Sequence, residues 1–88
     1  MEVFKMTSNS FIAYLGREIC NKRLTLGYSQ EHLGELAGLH RTYISDVERG
    51  QRNATVETLL KIACALNTKP SELLLSAERK YFSDESKS

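Results

Sequence analysis

The sequence predicts an all-α fold, a compact bundle of five short helices, and three observations carry that expectation. With 88 residues the chain makes one small domain, with room for about five short helices around one core and none for a catalytic pocket plus its scaffold. Apolar residues recur at three- and four-residue spacing along it, as one face of a helix requires. Cap-type residues and glycines punctuate these stretches: Ser29 and Thr55 stand at starts, Gly38 and Gly50 at ends.

Residues 1–8 read as an arm, and the Thr-Ser-Asn-Ser cluster at its end introduces a first helix from about Ser10 to Leu24. Its stripe is Ile12, Leu15 and Ile19, and the same register brings Arg23 onto the apolar side, an unusual place for a charge. Ser29 caps the second helix after the Gly27 breaker, and Leu33, Leu36 and Ala37 form its stripe. Gly34 in its middle is poor helix chemistry, which a close crossing would explain. Gly38 ends that helix, and Ile44 and Val47 make the stripe of a third directly afterwards. Glu48 lies at the edge of that stripe, so an Arg23–Glu48 ion pair is expected at the core boundary.

Thr55 caps a fourth helix with a stripe of Val56, Leu59, Leu60, Ala63 and Leu66. A fifth runs from Thr68 to about Tyr81, with Pro70 in its first turn. Leu73, Leu74 and Leu75 are consecutive and point around most of its circumference. The excess of apolar surface, with Tyr81 and Phe82, is relieved either by self-association through Leu74, Leu75, Tyr81 and Phe82 or by cover within one chain. The expected organisation is thus an arm over 1–8, a domain over 9–82 and a disordered tail over 83–88.

Hydrophobic and charged fractions of 41% and 26% are those of an ordinary globular chain. No apolar run approaches the roughly 18 residues of a membrane span, and the N-terminus lacks a signal-peptide pattern, so a cytoplasmic location without membrane partners is expected. Net charge is only +1, so any basic surface has to be one-sided. Paired carboxylates, a nucleophile with a matched base and a phosphate loop are all missing, which argues against an enzyme. Cys20, Cys64, His32 and His40 lack metal-ligand spacing, and neither a metal nor a cofactor is implied. His40, just before the third helix, is either its cap or a contact to base or phosphate.

Two helices sharing one apolar corner leave the outer face of the second free. Here that face carries Thr42, Ser45, Asp46 and Arg49, with Arg41 at its N-terminal edge, polar groups suited to base edges and phosphates of double-stranded DNA. The run Tyr28-Ser29-Gln30-Glu31, Leu33, Ala37-Gly38-Leu39, then Tyr43-Ile44-Ser45, Val47-Glu48-Arg49-Gly50, resembles the helix-turn-helix of phage-repressor-like transcription regulators over residues 10–76. Arg41-Thr42-Tyr43-Ile44-Ser45 and Glu48-Arg49 with Arg52-Asn53 look most like the controller proteins of restriction-modification systems.

The resemblance implies a lambda-repressor-like domain, with helices 2 and 3 as the motif, that dimerises through its last helix and binds a two-fold related operator. On this chain it implies base contacts from Arg41, Thr42 and Ser45; Asp46, a further base-contact candidate on the same face, departs from the pattern, since it would repel phosphate unless it meets a cytosine amino group or a neighbouring arginine. It implies backbone contacts from Gln30, Tyr43, Arg49, Arg52 and Asn53. Glu31 and Glu35, four apart on the outward face of helix two, read either as an ordinary solvated face or as a contact for RNA polymerase, which would make the chain activator and repressor at different promoters. The competing function is an antitoxin-like interaction module whose last helix covers a partner protein while the same motif represses its operon.

Overall fold

The computed structural model describes residues 8–85, and among these it contains five helices and no strand. They are α1 (Ser8–Thr25), α2 (Gln30–Ala37), α3 (Arg41–Glu48), α4 (Val56–Ala65) and α5 (Pro70–Glu85). The all-α, five-helix expectation holds. Residues 1–7 of the expected arm and 86–88 of the expected tail lie outside the described residues, while Ser8 already belongs to α1. Ser83–Glu85 continue α5 where a tail was expected, and Asp84 accepts a hydrogen bond from the Tyr14 hydroxyl of α1.

Local chemistry sets the helix ends. Ser29 Oγ accepts from the His32 amide at 2.9 Å and Thr55 Oγ1 from the Thr58 amide at 3.1 Å, each satisfying one of the amides a helix start leaves without a partner. Gly38 ends α2 at φ +71°, a left-handed conformation that side-chain-bearing residues rarely adopt, and Leu39 N–H returns to Gly34 O at 2.9 Å.

The core is one cluster in which Ile19, Leu33, Ile44, Ile62 and Leu66 are fully buried, joined by Val47, Leu59, Ala63 and Leu73. Every helix contributes to it, so burial of about 1.5–3 kcal/mol per large side chain ties all five together. At Gly16, α1 meets α3 backbone to backbone. A Cβ added at Gly16 would stand 2.2 Å from Val47 O and 2.8 Å from Glu48 O. Gly16 lies on the buried stripe of α1, between Ile12 and Ile19, and its missing side chain lets the two backbones touch. Gly34 is explained differently from the expected helix crossing: a Cβ there would meet the Leu39 carbonyl oxygen of the inter-helix turn at 2.6 Å.

Three expectations need correction. In α4 the buried row is Leu59, Ile62, Ala63 and Leu66, whereas Val56 is 76% and Leu60 46% exposed. The cap at Thr55 and the packing of α4 on α2 and α5 set a phase that turns Val56, Leu60 and Cys64, at i, i+4 and i+8, outwards. Leu36, expected on the stripe of α2, is half-exposed. Tyr81, expected on the outer apolar surface, is buried within the chain, its ring edge-to-face with those of Phe11 and Tyr14 of α1 at 6.5 and 5.9 Å. Leu74 packs partly on the core and Phe82 stands 5.2 Å from the Tyr81 ring, both half-buried; Leu75 is the exposed member of the expected dimer set.

Candidate nucleic-acid interface

His40 caps α3, its Nδ1 accepting from the Thr42 amide at 3.0 Å, so the side chain does the capping that Ser29 and Thr55 do for α2 and α4. From there the helix turns Ile44 and Val47 into the core and leaves Arg41 and Thr42 exposed and Ser45 half-buried. Arg41 also reaches the start of α2. Together with Ser29, Gln30, Glu31 and Arg23 it lines an open groove of about 570 Å³. Two residues eleven positions apart and expected to meet DNA, Gln30 and Arg41, therefore border one depression, at the start of α2 where amide dipoles favour an anion.

Beneath that groove lies a polar joint. Arg23 Nε donates to Glu48 Oε2 at 2.6 Å and Arg23 Nη2 to Oε1 at 3.0 Å, while Nη1 donates to the Tyr28 carbonyl at 2.8 Å. The Gln30 side-chain amide donates to the same Glu48 Oε1 at 3.1 Å. Arg23 of α1, Gln30 of α2 and Glu48 of α3 are thus brought together, with side-chain exposures of 10% and 4% for the arginine and the glutamate. The hydrogen bonds that Arg23 donates to Glu48 hold the guanidinium above its ordinary pKa despite burial, keeping it charged. Nearby, burial first and the Glu48 charge second push the Cys20 thiol up, although Arg23 Nη2 lies 3.6 Å from its sulfur.

The far end of α3 carries a second cluster. Arg49 Nη2 donates to Asp46 Oδ1 at 2.8 Å, and Arg52 Nη2 stands 3.7 Å from Asp46 Oδ2. Of the two partners open to Asp46, the neighbouring arginines are those it meets here. The Arg52 guanidinium also lies over the Tyr43 ring, 5.3 Å from its centroid, and the Tyr43 hydroxyl pairs with Thr58 Oγ1 of α4 at 2.9 Å. Tyr43 therefore supports Arg52 from behind. Asn53 is exposed beside it, and Glu31 and Glu35 are exposed on α2. The Thr58 anchor was missed from the sequence because its signal, a hydroxyl three residues after a threonine cap, belongs to the ordinary grammar of a helix start.

Among the described residues no helix is long and apolar enough to cross a membrane, and no cluster of metal-ligating side chains occurs.

Two short helices set across one apolar corner, with a turn closed by Gly38 and a polar outer face on the second, define a helix-turn-helix DNA-binding protein. Comparison with known proteins narrows this: the chain belongs to the helix-turn-helix family, whose model matches residues 21–73, a family of transcriptional regulators rather than enzymes. It is 43% identical over 70 residues to the control protein C.BamHI of Bacillus amyloliquefaciens, covering 78% of this chain and 85% of that protein. It is 59% identical over 46 residues to the control protein C.SmaI of Serratia marcescens, covering 52% of this chain and 55% of that protein, so it spans about half the length of that relative. Among solved structures, the restriction-modification controller protein C.AhdI of Aeromonas hydrophila superposes with a TM-score of 0.70 at 44% identity, over 70% of this chain and 94% of that one. The chain is a DNA-binding transcriptional regulator related to restriction-modification controller proteins.

Proposed function

We propose that the chain acts as a homodimer on a two-fold related operator and controls a restriction-modification system, the last being the role that the name of C.AhdI gives to that relative. The observation that carries this reading is the shared groove of Gln30 and Arg41, which sets an anion-favouring helix start beside the outer face of α3. In this arrangement Arg41 is suited to the paired acceptors of guanine, and Thr42 and Ser45 to neighbouring base edges. Arg49, Arg52 and Asn53 supply phosphate contacts, with Tyr43 as the support of Arg52. The Gln30 side chain is engaged by Glu48, so it meets phosphate with its remaining amide proton or its backbone N–H.

Dimerisation is supported by the outward apolar row. Cys64 and Glu72 line one shallow depression, so the Val56–Leu60–Cys64 row of α4 borders the side of α5 that carries Leu75, three residues beyond Glu72. The same row favours a second reading, an antitoxin-like module that presents it to a different protein. The exposed Glu31 and Glu35 are our candidate contact for RNA polymerase. Because Glu31 also lines the groove, activation is compared at saturating occupancy of the operator: there, converting both to lysine should abolish it in a purified transcription assay, and unchanged activation would return the pair to an ordinary solvated face.

Selection of bound duplexes from a random pool, followed by a salt titration of the winner, tests the main reading. A two-fold symmetric winner bound by a dimer, with affinity falling steeply as salt rises, is expected. Absence of enrichment together with a monomeric pure protein would support the interaction module instead.

A further inference from the structure

The Asp46 carboxylate occupies a place on the outer surface where an acid is unexpected. It sits between the two arginines of the far α3 cluster, with one oxygen toward each: Oδ1 at 2.8 Å from Arg49 and Oδ2 at 3.7 Å from Arg52. The three side chains differ in exposure, 58% and 54% for the arginines against 21% for the aspartate, so the cations stand outward and the anion holds them from below. Arg52 is further confined by the Tyr43 ring, which Thr58 in turn anchors. Two donors converging on two oxygens of one anion is also how a pair of arginines would meet a DNA phosphate. The backbone of Asp46 is tied separately, its carbonyl accepting from the Gln51 amide at 2.9 Å, so the carboxylate can be changed without disturbing the helix end.

We infer that Asp46 is an internal competitor for the phosphodiester backbone: its carboxylate occupies the Arg49–Arg52 fork in the free protein and must give it up when DNA binds. The consequence is a lowered sequence-independent affinity for duplex DNA. The inference rests on the DNA-binding reading above and adds to it a residue that regulates the strength of backbone contact. It also accounts for a chain of net charge +1 placing two of its arginines beside an acid on the surface meant for a polyanion.

The test compares the full chain with Asp46→Asn and Asp46→Glu on a random-sequence duplex, measuring affinity by fluorescence anisotropy across salt. Asn should bind about three- to tenfold tighter at low salt, with a slope of log affinity against log salt steeper by about 0.9, the value of one further phosphate contact. That gain should shrink by about threefold between roughly 50 and 200 mM salt. Glu, which keeps the charge, should restore the original affinity and slope. Unchanged or weaker binding by Asp46→Asn overturns the inference, the weaker result assigning Asp46 to positioning the arginines. Equal behaviour of the Glu and Asn variants overturns it too, since shape and not charge would then matter. Melting curves accompany each variant, and Asp46→Ser provides the same neutral comparison if the Asn variant unfolds. Failure of the folded parent chain to bind any duplex is a different outcome, which removes the DNA-binding reading itself.

Discussion

Replacing Glu48 by alanine tests the joint between α1, α2 and α3. The substitution removes both acceptors of the Arg23 fork, at 2.6 and 3.0 Å, and the acceptor of the Gln30 amide at 3.1 Å. Arg23 keeps the Tyr28 carbonyl at 2.8 Å, but its charge is left buried with no counter-ion. Losing one partner of a buried pair costs about 3–5 kcal/mol, and the retained carbonyl contact places this case near about 3. A chain of 88 residues has a total stability of about 4–13 kcal/mol, so the variant should lose a large part of it. Thermal unfolding should shift down by roughly 12–24 °C at about 4–8 °C per kcal/mol, and urea unfolding should show the loss as a lower midpoint at unchanged slope. Arg23→Met combined with Glu48→Leu should recover most of it, because two apolar side chains leave no charge to desolvate. A loss below about 0.5 kcal/mol for the single variant would refute the reasoning, since that is the behaviour of a solvent-screened surface pair.

Arg41→Ala should cost about 1–3 kcal/mol on the selected operator and little on random duplex, whereas Arg52→Ala should weaken both alike; titrations on the two DNAs check this, and equal losses for Arg41→Ala would remove it from base readout. Leu75→Asp should yield a folded monomer that no longer binds the operator, as seen by sedimentation and circular dichroism, and a variant that stays dimeric would relocate the interface. Gly16→Ala should cost about 1–3 kcal/mol or more in urea unfolding, because its Cβ would sit 2.2 Å from a backbone oxygen that cannot swing aside. Cys20 should be alkylated more slowly than the exposed Cys64 at pH about 8, with the difference vanishing in urea. Because its folded thiol lies above the ordinary value of 9.0, the stability linked to it is complete below that value and lost as pH climbs through the raised one; Cys20→Ser should flatten this alkaline decline.

What was legible in the sequence is local. Ser29, Thr55, Gly38 and Gly50 mark helix ends because caps and left-handed turns act through the nearest few residues. Arg23 on an apolar register was legible for the same reason, since a buried cation demands a partner and Glu48 lay at the matching edge. The phase of α4 was not: Val56, Leu59, Leu60, Ile62, Ala63 and Leu66 encircle too much of the helix for periodicity to select one face. The burial of Tyr81 depends on Phe11 and Tyr14, some seventy positions away, and on an α5 that continues through Ser83 and Asp84 without any apolar repeat to announce it. At the candidate interface, residue types indicated which side chains point outward and offered a neighbouring arginine as one partner of Asp46, whereas its engagement by both Arg49 and Arg52 at once needed the folded helix end.

The bare-backbone seam between α1 and α3 has a mechanical consequence. Gly16 lies against Val47 and Glu48, and one turn earlier Ala13 lies against Gly50, where an added Cβ would come within 2.9 Å of the Ala13 Cα. Contacts between main chains, unlike those between side chains, have no rotamers through which to yield, so the outer helix is mounted on a stiff bracket whose tilt is frozen by three small residues. On the proposed reading, a change of target is then a matter of re-lettering positions 41, 42 and 45, while any attempt to re-aim the helix has to begin at positions 13, 16 and 50.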